Sequence, residues 1–201
     1  MNGAEQAHAV VGVLAAVTGV GAAVVGGVFF AFSAFVMRGL ADAGHDSGDA
    51  ATAGATSRGS HVGITAMQAI NRAAVRPPLM VLLFGTMLAG LATCILLAVV
   101  GGGHALWWGL AGEVLYLGGV VVMTVAFHVP RNDGLELLDA SGVSAADSGG
   151  RAGSNETIDD RWRRYVVEWT RGNHVRTLAG VLAGVLFGVA GFVVGAPLLP
   201  V

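Results

Sequence analysis

Four stretches of the chain are almost free of charge. Residues 9–37, "AVVGVLAAVTGVGAAVVGGVFFAFSAFVM", hold no Asp, Glu, Arg or Lys. Residues 79–100 are as apolar, residues 106–128 carry the single carboxylate Glu113, and after Arg176 the chain runs uncharged to its end. Each stretch reaches the roughly 20 apolar residues that span a bilayer's hydrocarbon. The pattern predicts transmembrane helices over about 9–37, 79–100, 106–128 and 174–196. A cleaved signal peptide suits the first poorly, because "MNGAEQAH" carries Glu5 and no basic residue and the apolar run is long.

The connections differ in kind. Residues 39–60 are small, polar and glycine-rich, which predicts a loop. In "HVGITAMQAINRAAVR", 61–76, Ile64, Met67, Ile70 and Ala74 form one stripe while Gln68, Arg72 and Arg76 recur on another face. That is the period of a short amphipathic helix, and Pro77 and Pro78 break it. "GGGH" at 101–104 predicts a tight turn, and 131–156 a loop. Thr157 and Asp160 resemble a helix-start box. A helix from 158 to 196 would be about 58 Å long against about 30 Å of hydrocarbon. Residues 158–173 are therefore expected to stand outside the membrane as an extension, or the helix to kink near Gly172. Gly180, Gly184 and Gly188 recur every four residues and predict close approach of a neighbouring helix. The fold expected is all-α: a four-helix transmembrane bundle with one short amphipathic interfacial helix, forming a single membrane domain over 1–201.

Composition agrees. Of 201 residues 54% are hydrophobic and 12% charged, against roughly 25% charged in a soluble domain, and mean hydropathy is +0.70. A net charge of −2 gives no basis for nucleic-acid binding. The expected partners are the lipid bilayer and a small hydrophobic or aromatic ligand, with a homo-oligomer compatible. Cys94 is the single cysteine, so no disulfide forms within the chain. All eleven basic residues are arginines, and all lie on the side of the first and third loops. The positive-inside rule then puts that side in the cytoplasm of a multi-pass cell-membrane protein and both termini outside.

Three polar segments end on the arginine side: Gln68, Asn71 and Arg72; "HVPRND" with His128, Asn132 and Asp133; and the start of the last helix. There Trp162, Tyr165, Trp169, Gly172 and Arg176 make one stripe at spacings of three and four, with Asn173 and His174 beside it. Ionisable groups at membrane depth are costly and often functional. Aromatic belts, snorkelling arginines and helix-end hydrogen bonds are the purely structural readings of the same residues. Glu113 stands apart in the outward half of its span. There is no H-E-x-x-H, C-x-x-C or Walker loop.

"GGVFFAFSAFVMRGL", "GITAMQAINRAAVRPP", "FHVPRND" and "WTRGNHVRTLAG" together resemble the anthrone oxygenase-like family, over roughly residues 22–196. The resemblance implies a small four-span membrane protein. It also implies an oxidoreductase, a monooxygenase that oxidises an anthrone-like aromatic polyketide with O2 as co-substrate and no cofactor, metal or flavin. Its pattern falls on Met67, Gln68, Asn71, Pro130, Asn132, Asp133, Trp162, Tyr165, Trp169, Asn173, His174 and Arg176. In such an enzyme His174 would take a proton, Arg176 would stabilise the resulting anion, and His128 would carry a second proton. Asn173, Asn132 and Gln68 would orient the ligand carbonyl, Asn71 would line the site, and Trp162, Tyr165 and Trp169 would stack on flat rings. Two positions depart from the pattern: His128 where the family has Asn, and Gly172 where it has Trp. A carrier or partner subunit without catalysis, and a redox protein with histidine ligands, are the rival classes.

Overall fold

The computed structural model describes residues 2–43, 53–138 and 157–196. They form five helices: α1 (Gly3–Asp42), α2 (Ala53–Ala74), α3 (Leu79–Val99), α4 (His104–Glu136) and α5 (Ile158–Gly195). All but α2 are long and apolar enough to cross a membrane. The protein is thus a multi-pass membrane protein built as a four-helix transmembrane bundle with one shorter helix. Contacts divide it into two units. One holds Met1–Phe29, Pro77–Met123 and Val175–Val201; the other holds Phe30–Arg76 and Thr124–His174.

In the first unit four helices pack through small residues. Ala22, Val25 and Phe29 of α1 meet Leu83 of α3, Tyr116 and Val120 of α4, and Ala179 and Ala183 of α5. Valines 10, 13, 17, 20 and 24 of α1 are exposed at spacings of three and four. A stripe of this kind is stable against lipid chains and not against water. Polar groups inside are bonded locally: the Thr18 and Thr93 hydroxyls donate to the carbonyls of Leu14 and Ala89 and lie 3.2 Å apart. The Tyr116 hydroxyl donates to the Leu83 carbonyl at 3.0 Å. Trp107 and Trp108 are exposed near the start of α4, where an interface belt would sit.

Backbone meets backbone between α1 and α5. A Cβ on Gly26 would lie 2.8 Å from the Val181 nitrogen and 3.1 Å from the Gly180 carbonyl carbon. One on Gly19 would lie 2.8 Å from the Gly184 oxygen, and one on Gly191 2.8 Å from the Gly12 oxygen. These are backbone atoms, which cannot step aside. The ridge on α5 is therefore Gly180, Gly184 and Gly191. Gly188, expected in it, is exposed, and a Cβ there meets nothing.

The second unit buries Met37 of α1, Ile64 and Met67 of α2, Leu135 of α4, and Trp162, Tyr165 and Trp169 of α5. Two element boundaries differ from expectation. The amphipathic helix begins at Ala53 and ends at Ala74, so much of the expected 39–60 loop is helical. Residues 44–52 and 139–156, also expected as loop, lie outside the described residues. The loop expected from 131 starts later: α4 continues through "VPRNDGLE" to Glu136. Pro130 is tolerated there because it falls in the first turn after a set of wide π turns, where its missing N–H costs little. α5 is helical throughout its 38 residues, in line with the unbroken one of the two alternatives expected for it. Gly101 (φ +70°) and Gly103 (φ +52°) make the expected turn between α3 and α4, a backbone that other residues adopt at a cost.

Gly26→Ala should lower the thermal midpoint in mild detergent, by the equivalent of about 1–3 kcal/mol of overpacking. Gly188→Ala should leave it unchanged or raise it slightly. Equal midpoints for the two variants would contradict the helix contact described here.

Candidate functional site

The polar cluster of the second unit is organised by α5. Trp162, Tyr165, Trp169 and Gly172 fall on one face of this helix, and all four are buried. Trp162 and Tyr165 stack with ring centroids 5.6 Å apart and planes 15° apart. The Asn132 side-chain oxygen, presented by the last turns of α4, accepts from the Tyr165 hydroxyl at 2.9 Å and from the Trp169 indole N–H at 3.0 Å. One amide oxygen thus fixes two aromatic rings by both of its lone pairs.

His128 lies one turn earlier on α4 and is fully buried. Its ring stands edge-on to Trp169 at 5.0 Å and to Phe127 at 5.2 Å. Residues Thr124–His128 wind in π turns. Wider turns bring Phe127 and His128, neighbours in sequence, toward the same helix. Arg131 holds Phe127 from outside: its guanidinium lies 3.5 Å from the ring centroid, donates to the Phe127 carbonyl at 3.0 Å and pairs with Glu168 at 3.1 Å. Opposite is Gly172. A Cβ there would collide with Phe127 and lie 3.0 Å from His128 Nε2. The Phe127 and His128 rings thus occupy the space that a side chain at 172 would need.

Two further participants come from a second π stretch, Phe32–Val36 of α1. Phe32 packs against Trp169 at 5.5 Å, and Asn173, fully buried, donates to the Ser33 hydroxyl at 2.7 Å. Sequence reasoning missed both. The available signal was Ser33 itself, a lone hydroxyl in the apolar run "FFAFSAFVM".

The three polar segments do meet in this unit, although several residues are placed otherwise than expected. Gln68 donates to the Leu135 and Leu138 carbonyls at 2.9 and 2.8 Å. Its NH2 group thereby closes the end of α4, and the Arg72–Glu136 ion pair joins the same two helices. Asn71 is half-buried, and its amide nitrogen has no hydrogen-bond partner among the described residues. Asp133 is exposed. His174, the expected base, is exposed on the far side of α5 from the aromatic stripe. Two residues past Gly172 is about 200° of rotation, so the stripe that buries Trp169 turns His174 outward. Arg176 belongs to the first unit, where it is buried and its guanidinium lies 4.2 Å from the Phe29 ring centroid. A groove of about 340 Å³ opens beside the cluster, lined by Ala41, Asp42, Ser60, Trp162, Arg163, Val166 and Val167. Trp162 is the residue that the groove and the aromatic stack share.

With this geometry in view, comparison with known families is decisive. The model of a family described as anthrone oxygenase matches residues 78–186, more than half of the chain. The chain belongs to the anthrone oxygenase family. No curated protein and no solved structure gives a significant match. The part matched to the anthrone oxygenase family contains His128, Asn132, Trp162, Tyr165, Trp169 and Asn173. Ser33, Gln68 and Asn71 fall outside it, as do the motifs "GGVFFAFSAFVMRGL" and most of "GITAMQAINRAAVRPP".

Asn132→Leu should destabilise this anthrone oxygenase family member by about 1–3 kcal/mol, since it removes the acceptor shared by two buried donors. It should also shift tryptophan emission. Thermal unfolding and fluorescence in detergent check both, and an unaltered spectrum would argue against the Trp169 bond.

Proposed function

We propose that this membrane protein is a cofactor-independent oxygenase, an oxidoreductase that converts the CH2 of an anthrone-like aromatic to a carbonyl with O2. The observation that carries this reading is a fully buried imidazole, His128, set among aromatic rings in a member of the anthrone oxygenase family. An anthrone CH2 is acidic because the carbanion delocalises into the flanking rings. A neutral imidazole has a pKa near 6.5 and suits proton removal near neutrality. The electron-rich carbanion passes an electron to O2, and the radicals combine to a peroxide. Loss of water then leaves the ketone: CH2 and O2 become C=O and H2O.

His128 takes the role of base that the sequence pattern suggested for His174. With its oxygen committed to two rings, Asn132 offers its NH2 group to the ligand carbonyl. Trp169 and Tyr165 supply flat apolar walls, and Asn173, held by Ser33, supports that side. The groove beside Trp162 suits a planar ligand in volume. Arg176, buried in the other unit, acts on packing in this scheme rather than on the anion. The surrounding rings exclude bulk water, which keeps the carbanion from simple reprotonation.

A second reading, ligand carriage without turnover, is favoured by the groove, which includes neither histidine. O2 uptake by the purified protein with an anthrone distinguishes the two. His128→Asn should lower the rate by about a hundredfold or more, while His174→Ala should keep the parent rate. Saturable anthrone binding without O2 uptake would support carriage, and full activity of His128→Asn would remove His128 from the mechanism.

The orientation belongs to the same proposal: the arginine-bearing side faces the cytoplasm and both termini face out. Cysteines placed at the exposed positions Gly134 and His104 report it. An impermeant maleimide added to intact cells should label His104→Cys, and should label Gly134→Cys only after permeabilisation. The reverse pattern would invert the topology.

A further inference from the structure

The first unit contains one carboxylate that neither the fold nor the proposed chemistry uses. Glu113 lies on α4 within a membrane-spanning helix, and one of its oxygens is buried with no hydrogen-bond partner among the described residues. It rests on bare backbone: a Cβ on Gly90 of α3 would overlap that oxygen and would lie 2.9 Å from Phe187 of α5. Phe187 is fully buried. The space for the carboxyl group thus exists because residue 90 is a glycine, and the Phe187 ring borders the same spot.

A carboxylate cannot keep its charge cheaply in such a place. Burying an isolated ionised carboxylate costs far more than carrying a proton. The groups that face Glu113 supply no counter-charge. Cys94 on α3 and Tyr116 on α4 are the titratable groups within electrostatic reach. The Tyr116 hydroxyl already donates to Leu83, and α5 presents Phe187. Arg176, the one arginine of this unit, stacks on Phe29 and sits about 16 Å along α5 from Phe187 by helical rise.

We propose that Glu113 is a proton-binding carboxyl group inside the membrane, open to covalent capture by an apolar carbodiimide. The step is an addition. The carboxyl proton passes to one carbodiimide nitrogen, and the carboxyl oxygen bonds to the central carbon. The acyl group then migrates to nitrogen, leaving a stable N-acylurea. No atom is lost and nothing is oxidised. The proton is the ligand, and the reaction reports its presence because the ionised group lacks the proton that the first step transfers.

The test uses the full chain in lipid vesicles, treated with dicyclohexylcarbodiimide at mildly acidic and at alkaline pH. The products are analysed by intact mass and peptide mapping. The expected result is one adduct per chain, mapped to Glu113, with less at alkaline pH and none in Glu113→Gln. A water-soluble carbodiimide should leave Glu113 unmodified. No adduct on Glu113 of the parent protein, an adduct formed equally at both pH values, or equal reaction with the water-soluble reagent would each overturn the proposal. Because the parent protein is mapped directly, the outcome does not depend on how a variant folds. It is also independent of oxygenase activity.

Discussion

Lipid chains are as apolar as leucine, so nothing in a bilayer drives two greasy helices together by excluding water. The helices of this protein associate because their backbones can touch. Gly12, Gly19 and Gly26 recur every seven residues on α1 and face Gly191, Gly184 and the Gly180–Val181 peptide of α5. A methyl group at any of these contacts would press on a carbonyl or a backbone nitrogen. Dispersion over such a long close seam is what lipid cannot match, since lipid cannot approach a backbone covered by side chains. The same two helices continue beyond the seam, α1 to Phe32 and Ser33 and α5 back to Trp169 and Asn173.

The polar cluster answers a different constraint. A buried donor without an acceptor is expensive, and a site rich in indole and phenol has donors to satisfy. Asn132 satisfies two with one oxygen. Arg131 is held in three ways, by a carboxylate, a carbonyl and a ring, so its charge is paired while its stem fixes Phe127. Charge is thereby kept at the edge, and the rings of Phe127 and Trp169 stand edge-on to His128. Under the proposed function, an imidazole beside such rings is the base that carbanion chemistry with O2 calls for.

Much of this was legible in the sequence. Charge-free runs fixed α3 and most of α1, α4 and α5, because no other structure tolerates them. The aromatic stripe of α5 followed from its spacing, and so did contact among the three polar segments. The errors have physical causes. The start of α2 reads as loop because "AGATSRGS" has small, weakly helical residues. "VPRNDGLE" reads as a turn because Pro and Gly outweigh the tolerance of a first turn. His174 has the chemistry of a base, but the stripe's own periodicity turns it outward. Ser33 was invisible because a hydroxyl in an apolar run reads as a local bond to its own helix. The pairing of His128 with Gly172 needed coordinates, since 44 positions separate them.

The wide turns carry one more implication. At 3.6 residues per turn, each residue added to or removed from a helix rotates everything beyond it by about 100°. A π turn accommodates one extra residue locally, and both Phe32–Val36 and Thr124–His128 carry side chains of the cluster, with Asn132 following the second. Shortening Thr124–His128 by one position would restore ordinary winding and swing Asn132 away from Tyr165 and Trp169 with every other residue type unaltered. In such a scaffold the lining of the cavity can be exchanged wholesale by a one-codon length change, a larger step than any replacement of one side chain by another.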